Sequence, residues 1–307
     1  NIDPQGRPHS DVTADEVFPV LFRVADEAVA YRIIRRLNAP DFWSEAGLRT
    51  TSTLDPLYDP SRYVGLMGGV WPGLTWWYAF AAARYHPEFM VRALHASFAH
   101  YAKDPRAYHT VPGQFSEWFD GESLINRGMR LSPWEPPRFL WAAVEGVAGL
   151  VVLPDEPKIN PLLPDDWKWA ACHRVRHHGR DISAFCGRMQ GQLHVFGDFD
   201  FRTDGPGVPF RQNVTDRLRL DTPGLHALAF ADEDRVLVAI GSCREESRNS
   251  PVRLAELVQA NHRYRRRDWS SEQNRWTEWH EATSANLANV AVRVEARGFH
   301  LIELKNA

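Results

Sequence analysis

The 307-residue sequence has few cysteines, no long apolar run and almost no imbalance of charge. Cys172, Cys186 and Cys243 lie far apart, form neither a C-x-x-C metal motif nor a disulfide framework, and favour a reducing, cytoplasmic compartment. Charge or proline interrupts each apolar stretch before the roughly 18–20 residues that a bilayer-spanning helix needs, so a soluble chain without membrane contact is expected. A formal charge of −3 gives no general attraction to nucleic acid or anionic lipid, and a neutral substrate suits it. The patterns G-x-G-x-x-G, the P-loop and G-x-S-x-G are missing, which removes support for dehydrogenase, NTPase and serine-hydrolase chemistry; no cofactor is expected. The first residue is Asn1 rather than methionine and no signal-peptide pattern follows, so an earlier segment or a second polypeptide is expected.

Hydrophobic content of 44% and charged content of 24% describe an ordinary globular protein, and the length predicts about two domains. Helical periodicity dominates the first half. A short helix is expected near 13–24. Ala30, Ile33, Ile34 and Leu37 form an apolar stripe behind Asp26 and Glu27, opposite Arg32, Arg35 and Arg36. The run 70–85 is apolar on nearly every side, with Pro72 in its first turn, and reads as a buried helix. A third helix starts at Pro87 with Met90, Leu94, Phe98 and Tyr101 as its buried stripe and its histidines facing elsewhere. A fourth follows Pro136-Pro137 and buries Leu140, Val144, Val147 and Val151. Long loops at 38–69 and 104–133 join these helices, and loops of that length inside a domain are usually functional.

Beyond Leu153 short β-type segments take over, at 173–175, 182–185, 192–196, 218–220, 227–230, 235–240, 290–294 and 300–304. They are separated by turn clusters such as TDGPG at 203–207 and have no helices between them. An α+β chain is therefore expected, with a helical domain over 1–152, a junction at PLLPDDW (161–167), and an antiparallel β-sandwich over 153–307.

The chemistry concentrates in GQFSEWFDG, residues 113–121, which places Glu117 beside Trp118 and three residues before Asp120. Seven of the twelve tryptophans (Trp43, Trp71, Trp76, Trp77, Trp118, Trp134 and Trp141) fall in the same half. Indoles stack on the apolar faces of sugar rings, and a carboxylate among them can activate a water. Glycoside hydrolysis needs a second carboxyl; Asp120, Glu122 and Glu135 are close in sequence, the first two better placed to orient hydroxyls or the loop. In GGVWPGLTWW (68–77), glycines allow a close backbone approach and Trp71 stands at the helix mouth; the same residues also read as a helix start with Trp76 and Trp77 as core.

The run GLRTTSTLDPLYDPSRYVGLMGGVWPGLTWWYAFAAARY, then GQFSEWFDGE, then GMRLSPWEPPRFLWAAV, resembles the C-terminal part of the catalytic domain in the amylo-α-1,6-glucosidase (glycogen debranching) group. It is similar also to the mannosyl-oligosaccharide glucosidase, trehalase and glucoamylase families. The resemblance implies an (α/α)6 toroid of twelve helices and an inverting glycosidase. It implies Glu117 as general base, Trp71 as the pocket wall, and Arg49, Tyr63 and Asp120 as groups that hold substrate hydroxyls. SPWEPP replaces the family's usual AWS-type sequence, making Trp134 and Glu135 a different subsite. Five helices out of twelve make a half-toroid, the C-terminal half, and the family's general acid lies on an earlier helix. An N-terminal segment or second polypeptide supplying that acid is implied, with Asp55 or Asp59 as local substitutes although DP-x-YDP reads first as turns.

Weaker motifs have simpler readings. His173, His177 and His178 suit a strand and turn better than a metal site, and RYRRRD (263–268) suits a solvated strand face better than nucleic acid. Asn213-Val-Thr is a glycosylation sequon, relevant only to a secreted protein. Two classes remain: an inverting α-glycoside hydrolase, with a toroid-type phosphorylase as its variant, or a non-catalytic carbohydrate-binding or assembly subunit.

Overall fold

The computed structural model describes residues 5–7, 12–153 and 156–307. The chain divides into two units, Asn1–Val147 and Ala148–Ala307. It mixes helices with several largely antiparallel sheets.

In the first unit, a 3-10 turn at Ala14–Glu16 leads into the short helix α1 (Val17–Leu21). Helix α2 (Glu27–Leu37) begins where Asp26 caps the Val29 amide at 2.8 Å and ends in Arg35 and Arg36, which suit the negative end of the helix dipole. Ala30, Ile34 and Leu37 are buried along it. A small hairpin follows, β1 (Trp43–Ser44) with β2 (Gly47–Leu48). Helix α3 (Pro72–Ala83) starts with proline at its first position, where no amide partner is needed, and buries ten of its twelve residues. It packs on α4 (Pro87–Tyr101).

The buried face of α4 differs from the stripe expected from the sequence. Met90, Ala93, Ser97 and His100 are buried, while Phe98 is 47% exposed. Small side chains at 93 and 97 let helix backbones approach, so packing overrides bulk hydrophobicity. His100 is fully buried, with its ring 4.5 Å from that of Phe119 and 4.9 Å from that of Tyr108. Burial, reinforced by Lys103, pushes its pKa down to about 4.

Helix α5 (Glu135–Trp141) is also shorter than expected. It passes into a π-helical turn at Ala142–Val147, where Gly146 lies against Phe80 and Met90. Leu140 is 57% exposed, and Val151 belongs to a strand.

The second unit opens with the strand pair β3 (Leu150–Val151) and β4 (Lys158–Ile159). A four-stranded sheet runs β5 (Trp169–His177), β6 (Arg180–Met189), β7 (Gln192–Gly197), β8 (Gly207–Pro209), its last pair parallel. The larger sheet contains β9 (Gln212–Asn213), β10 (Leu225–Ala231), β11 (Arg235–Ser242), β13 (Arg263–Ser270), β14 (Arg275–Trp276), β15 (His280–Thr283) and β17 (Phe299–Asn306). The pair β12 (Arg248–Val252) and β16 (Val290–Val294) lies apart from both sheets in pairing, and a helical turn, α6 (Ser284–Leu287), precedes β16. The larger sheet is covered on both faces. Val238, Ile240, Ile302 and Leu304 pack with Val252, Val290 and Val292, while Leu237, Ala239, Leu301 and Phe299 pack with Phe185 and Phe196. Alternating side chains on β11 and β17 therefore enter two cores. The segment expected as a strand at 218–220 contributes only one isolated bridge, Arg219 to Arg253.

RYRRRD forms most of β13. Arg266 and Arg267 pair with Asp268 and Glu303, Arg265 and Arg267 lie over Trp279 and Trp276, and Arg263 pairs with Glu281. HRVRHHGRD forms the β5–β6 hairpin, with the His177 and His178 rings 4.3 Å apart at its tip.

Candidate active site

Three sequence-distant segments are laced side by side in the first unit. Arg49 bridges to Val70, Val70 to Phe119, and Phe119 to Asn126. The Val70 and Phe119 backbones exchange two hydrogen bonds of 2.8 Å, and the Thr50 amide donates to the Gly69 carbonyl at 2.9 Å. The GLRT, GGVWP and SEWFD motifs thus become one surface, and the buried Val70 and Phe119 side chains fix it from behind.

Glu117 stands at the edge of this surface, partly exposed. Its amide donates to the Met129 carbonyl at 2.9 Å, and the Met129 amide donates to Glu117 Oε2, also at 2.9 Å. This two-point closure holds one carboxylate oxygen. Among the described residues no donor reaches Oε1. A carboxylate fixed by one amide with its second oxygen free has the geometry to take a proton from a water.

The neighbouring candidates sort into contrasting environments. Trp71 is partly exposed at the start of α3, and its indole N–H donates to the Val64 carbonyl at 3.1 Å. Tyr63, Val64 and Gly65 are consecutive left-handed residues, with φ of 49°, 50° and 77°. For tyrosine and β-branched valine that conformation costs on the order of 1–3 kcal/mol each, and such strain tends to sit at ligand clamps. Tyr63 is 62% exposed, with the Arg62 guanidinium over its ring at 4.8 Å. Trp134 is exposed at the start of α5.

Trp118 is different. It is only 6% exposed, and its ring fills the space that a Cβ at Gly65 or Gly128 would need, at 2.5 and 2.4 Å. It props the loop from inside and offers no open face to a sugar. Arg49 donates to the Gly121 carbonyl at 3.1 Å and to the Trp43 carbonyl, fastening the base loop. Asp120 is buried and accepts the Glu122 and Ser123 amides at 3.1 and 2.9 Å. Burial works against its charge, but those amides prevail and its pKa is lowered. Glu122 in turn accepts the Tyr58 hydroxyl at 2.6 Å. Asp55 and Asp59 accept local amides from Leu57 and Ser61 and close turns.

Glu135 is fully buried, so it does not face a ligand as the sequence implied for a subsite. The EPPR spacing turns its carboxylate onto Arg138, with Oε1 2.9 Å from the guanidinium, while Oε2 lacks a hydrogen-bond partner. Burial pushes its pKa up to about 7; Arg138 opposes this, and the charge of Glu117 adds to it. Arg138 rests on the Trp77 face at 4.5 Å. The burial of Glu135 and the part played by Arg138 were hidden in the sequence, where only the i, i+3 spacing hints at the pair.

Among the described residues no helix is long and apolar enough to cross a membrane. Among the described residues, all but one of the large exposed hydrophobic residues lie in the first unit, including Leu54, Leu57, Val64, Leu66, Leu131 and Leu140; Val152 is the exception.

Residues 3–123 match the family described as "Mannosylglycerate hydrolase MGH1-like glycoside hydrolase domain", so that stretch of the chain is similar to a glycoside hydrolase domain. No curated protein matches the chain. A glucose complex of the GH63 mannosylglycerate hydrolase from Thermus thermophilus is similar at 18% identity, with a TM-score of 0.32, over 46% of this chain and 32% of that one. A Tris complex of the same enzyme is similar at 18% identity and a TM-score of 0.33, over 45% and 31%. The chain spans about a third of the length of these structures. The matched description reaches the level of glycoside hydrolase and does not name a glycogen-debranching activity.

Proposed function

We propose that this chain supplies the base side of an inverting glycoside hydrolase acting on α-linked glycosides, with Glu117 as general base. The observation that carries the reading is the Glu117 carboxylate itself: Oε2 held by the Met129 amide, and no donor among the described residues on Oε1, on a surface shared with Trp71 and the Tyr63–Val64 turn. Water deprotonated at Oε1 attacks the anomeric carbon from the face opposite the leaving group, while a second carboxyl protonates the departing oxygen. Trp71 forms a wall for the sugar ring, with Tyr63 and Trp134 at the rim.

The acid comes from a segment or polypeptide completing an (α/α)6 toroid. The number of exposed leucines and valines in the helical unit supports that reading, since large apolar side chains left in solvent suit a face that another segment covers. The family description adds mannosylglycerate to the substrates worth testing. A second reading places the acid on this chain at Glu135, whose pKa near 7 suits a proton donor. Its complete burial weighs against contact with a leaving group.

Proton NMR of the first product released from an α-glucoside or α-mannosylglycerate, by the protein complete with its acid-bearing segment or polypeptide, tests the proposal. Initial accumulation of the β-anomer is expected, and initial accumulation of the α-anomer refutes inversion. Absence of turnover even with the acid-bearing segment or polypeptide present, together with sugar binding, favours a binding or assembly subunit.

A further inference from the structure

A cavity of about 670 Å³ opens beside the base loop, and its charge is one-sided. Arg106, His109, Thr110, Asn126, Gly128 and Arg130 line it, and among the described residues no carboxylate does. Arg130 is held in a way that keeps its charge. Its Nε donates to the His109 carbonyl at 3.1 Å and its Nη2 to the Thr110 carbonyl at 2.9 Å. Carbonyls orient a guanidinium without neutralising it, and Nη1 meets no acceptor among the described residues. The Arg106 side chain has neither a hydrogen bond nor an ion pair among the described residues. Arg36, Arg84 and Arg138 in the same unit, by contrast, each pair with a carboxylate.

The wall behind the two arginines is fixed. His109 is left-handed, with φ of 54°, and its carbonyl also accepts from Asn126 Nδ2 at 3.3 Å. Asn126 receives the Gly128 amide on Oδ1 at 3.2 Å, and its own amide donates to the Tyr108 carbonyl at 2.9 Å. An arginine that only solubilises a surface needs no such bracing, since its head keeps its charge in water on a freely moving stem. The same wall touches the base. A Cβ at Gly128 would lie 2.8 Å from Glu117 Oε2, and Met129 donates its amide to that oxygen at 2.9 Å. Three consecutive residues therefore line the cavity, grip the Glu117 carboxylate and present the braced guanidinium.

We propose that this cavity is an oxyanion-binding site continuous with the base loop, taking a carboxylate or phosphate group on Arg106 and Arg130. Its service to the reaction rests on the reading of Glu117 as the base; its affinity for an oxyanion does not. Guanidinium N–H groups match planar and tetrahedral oxyanions in charge and in donor geometry. An oxyanion on Arg130 steadies the 128–130 segment and with it the Met129 amide on Glu117. The group arrives either as an acidic substituent of the substrate or as a free anion.

Calorimetric titration of the full chain with inorganic phosphate at low salt reads the site without turnover, with sodium chloride at matched ionic strength as the control. Saturable binding is expected, weakened about tenfold or more in Arg106→Gln and in Arg130→Gln. The Arg106 side chain makes no polar bond within the chain, so R106Q remains the test if R130Q does not fold. Binding that matched chloride abolishes, or that R106Q leaves unchanged, overturns the site.

Turnover by the protein complete with its acid-bearing segment or polypeptide separates the two sources. A neutral aryl α-glucoside is compared with the same glucoside carrying a carboxylate on its aryl ring. An oxyanion that belongs to the substrate lowers KM for the acidic glucoside by about tenfold, with phosphate competing against it and R106Q removing the advantage. A free anion instead changes kcat for the neutral glucoside by about twofold or more at saturating phosphate, in the wild type and not in R106Q. Phosphate that binds yet alters neither reaction overturns the link to the base. Failure to hydrolyse either glucoside overturns the base reading alone, because the titration still reports on the site.

Discussion

Replacing Gly73 by alanine should be costly although the residue lies in a helix, where alanine ordinarily stabilises. The new methyl would meet Arg138 Nη1 at 2.4 Å, Arg138 Cδ at 2.7 Å and Glu135 Oε2 at 2.8 Å, so the pair must leave its seat. Breaking a buried pair costs about 3–5 kcal/mol, and alanine regains at most about 1 kcal/mol of helix propensity. Arg138 is 28% exposed and can keep part of its hydration, which points to the lower end of the range. A net loss of about 2–4 kcal/mol follows, or roughly 5–15 °C in melting temperature for a unit of this size. Urea and thermal unfolding of G73A measure it. A paired control replaces both charges, Glu135→Met with Arg138→Met, and in that background the G73A penalty should fall by more than half. A G73A chain more stable than the wild type, or a penalty unchanged in the control, refutes the seating of the pair over Gly73.

Three further expectations concern pH and the second unit. His100 has its pKa lowered to about 4 by burial, so its contribution is fully present above about 6.5 and is lost as pH falls through 4; by linkage this is on the order of 3 kcal/mol. His100→Phe should flatten the acid limb of stability between pH 6.5 and 4 in chemical denaturation, and an unchanged limb would show that His100 is not its source. Glu135 acts in the opposite sense. Its raised pKa makes its contribution full below about 4.5 and diminishing as pH rises through 7, so E135Q should lessen the decline on that side. In the β unit, Glu303 is 7% exposed and accepts from Arg267 Nε at 2.6 Å. Arg267→Met should destabilise the unit by about 3 kcal/mol by leaving that carboxylate unpaired, and Arg267→Met with Glu303→Leu should recover most of the loss; equal stability of the single variant and the wild type contradicts it.

What the sequence made legible was local. The Asp26 cap, Pro72 and Pro87 at helix starts, and the alternation in β11 and β17 announce their elements because the signal lies within a few residues. The face of α4 was not legible, since Ala93 and Ser97 are buried for their smallness and His100 for its fit between rings. Nor was the environment of Trp118: an indole beside a candidate base reads as a sugar platform until Gly65 and Gly128 are seen to fold over it. The site surface depends on bridges between segments up to some seventy residues apart, such as the Arg49 bond to the Gly121 carbonyl, and no local pattern encodes such partners. The EPPR spacing offered the pair but not its burial, which follows from a glycine sixty-two positions earlier, at 73 rather than 135.

The most direct test of the central claim is the turnover of Glu117→Gln in the protein complete with its acid-bearing segment or polypeptide, measured together with its affinity for the sugar. Glutamine keeps the shape and an oxygen for the Met129 amide but cannot accept a proton from water. Hydrolysis should fall by about 10²–10⁴-fold with binding essentially unchanged. An E117Q chain that hydrolyses at the wild-type rate would contradict the assignment of Glu117 as the base.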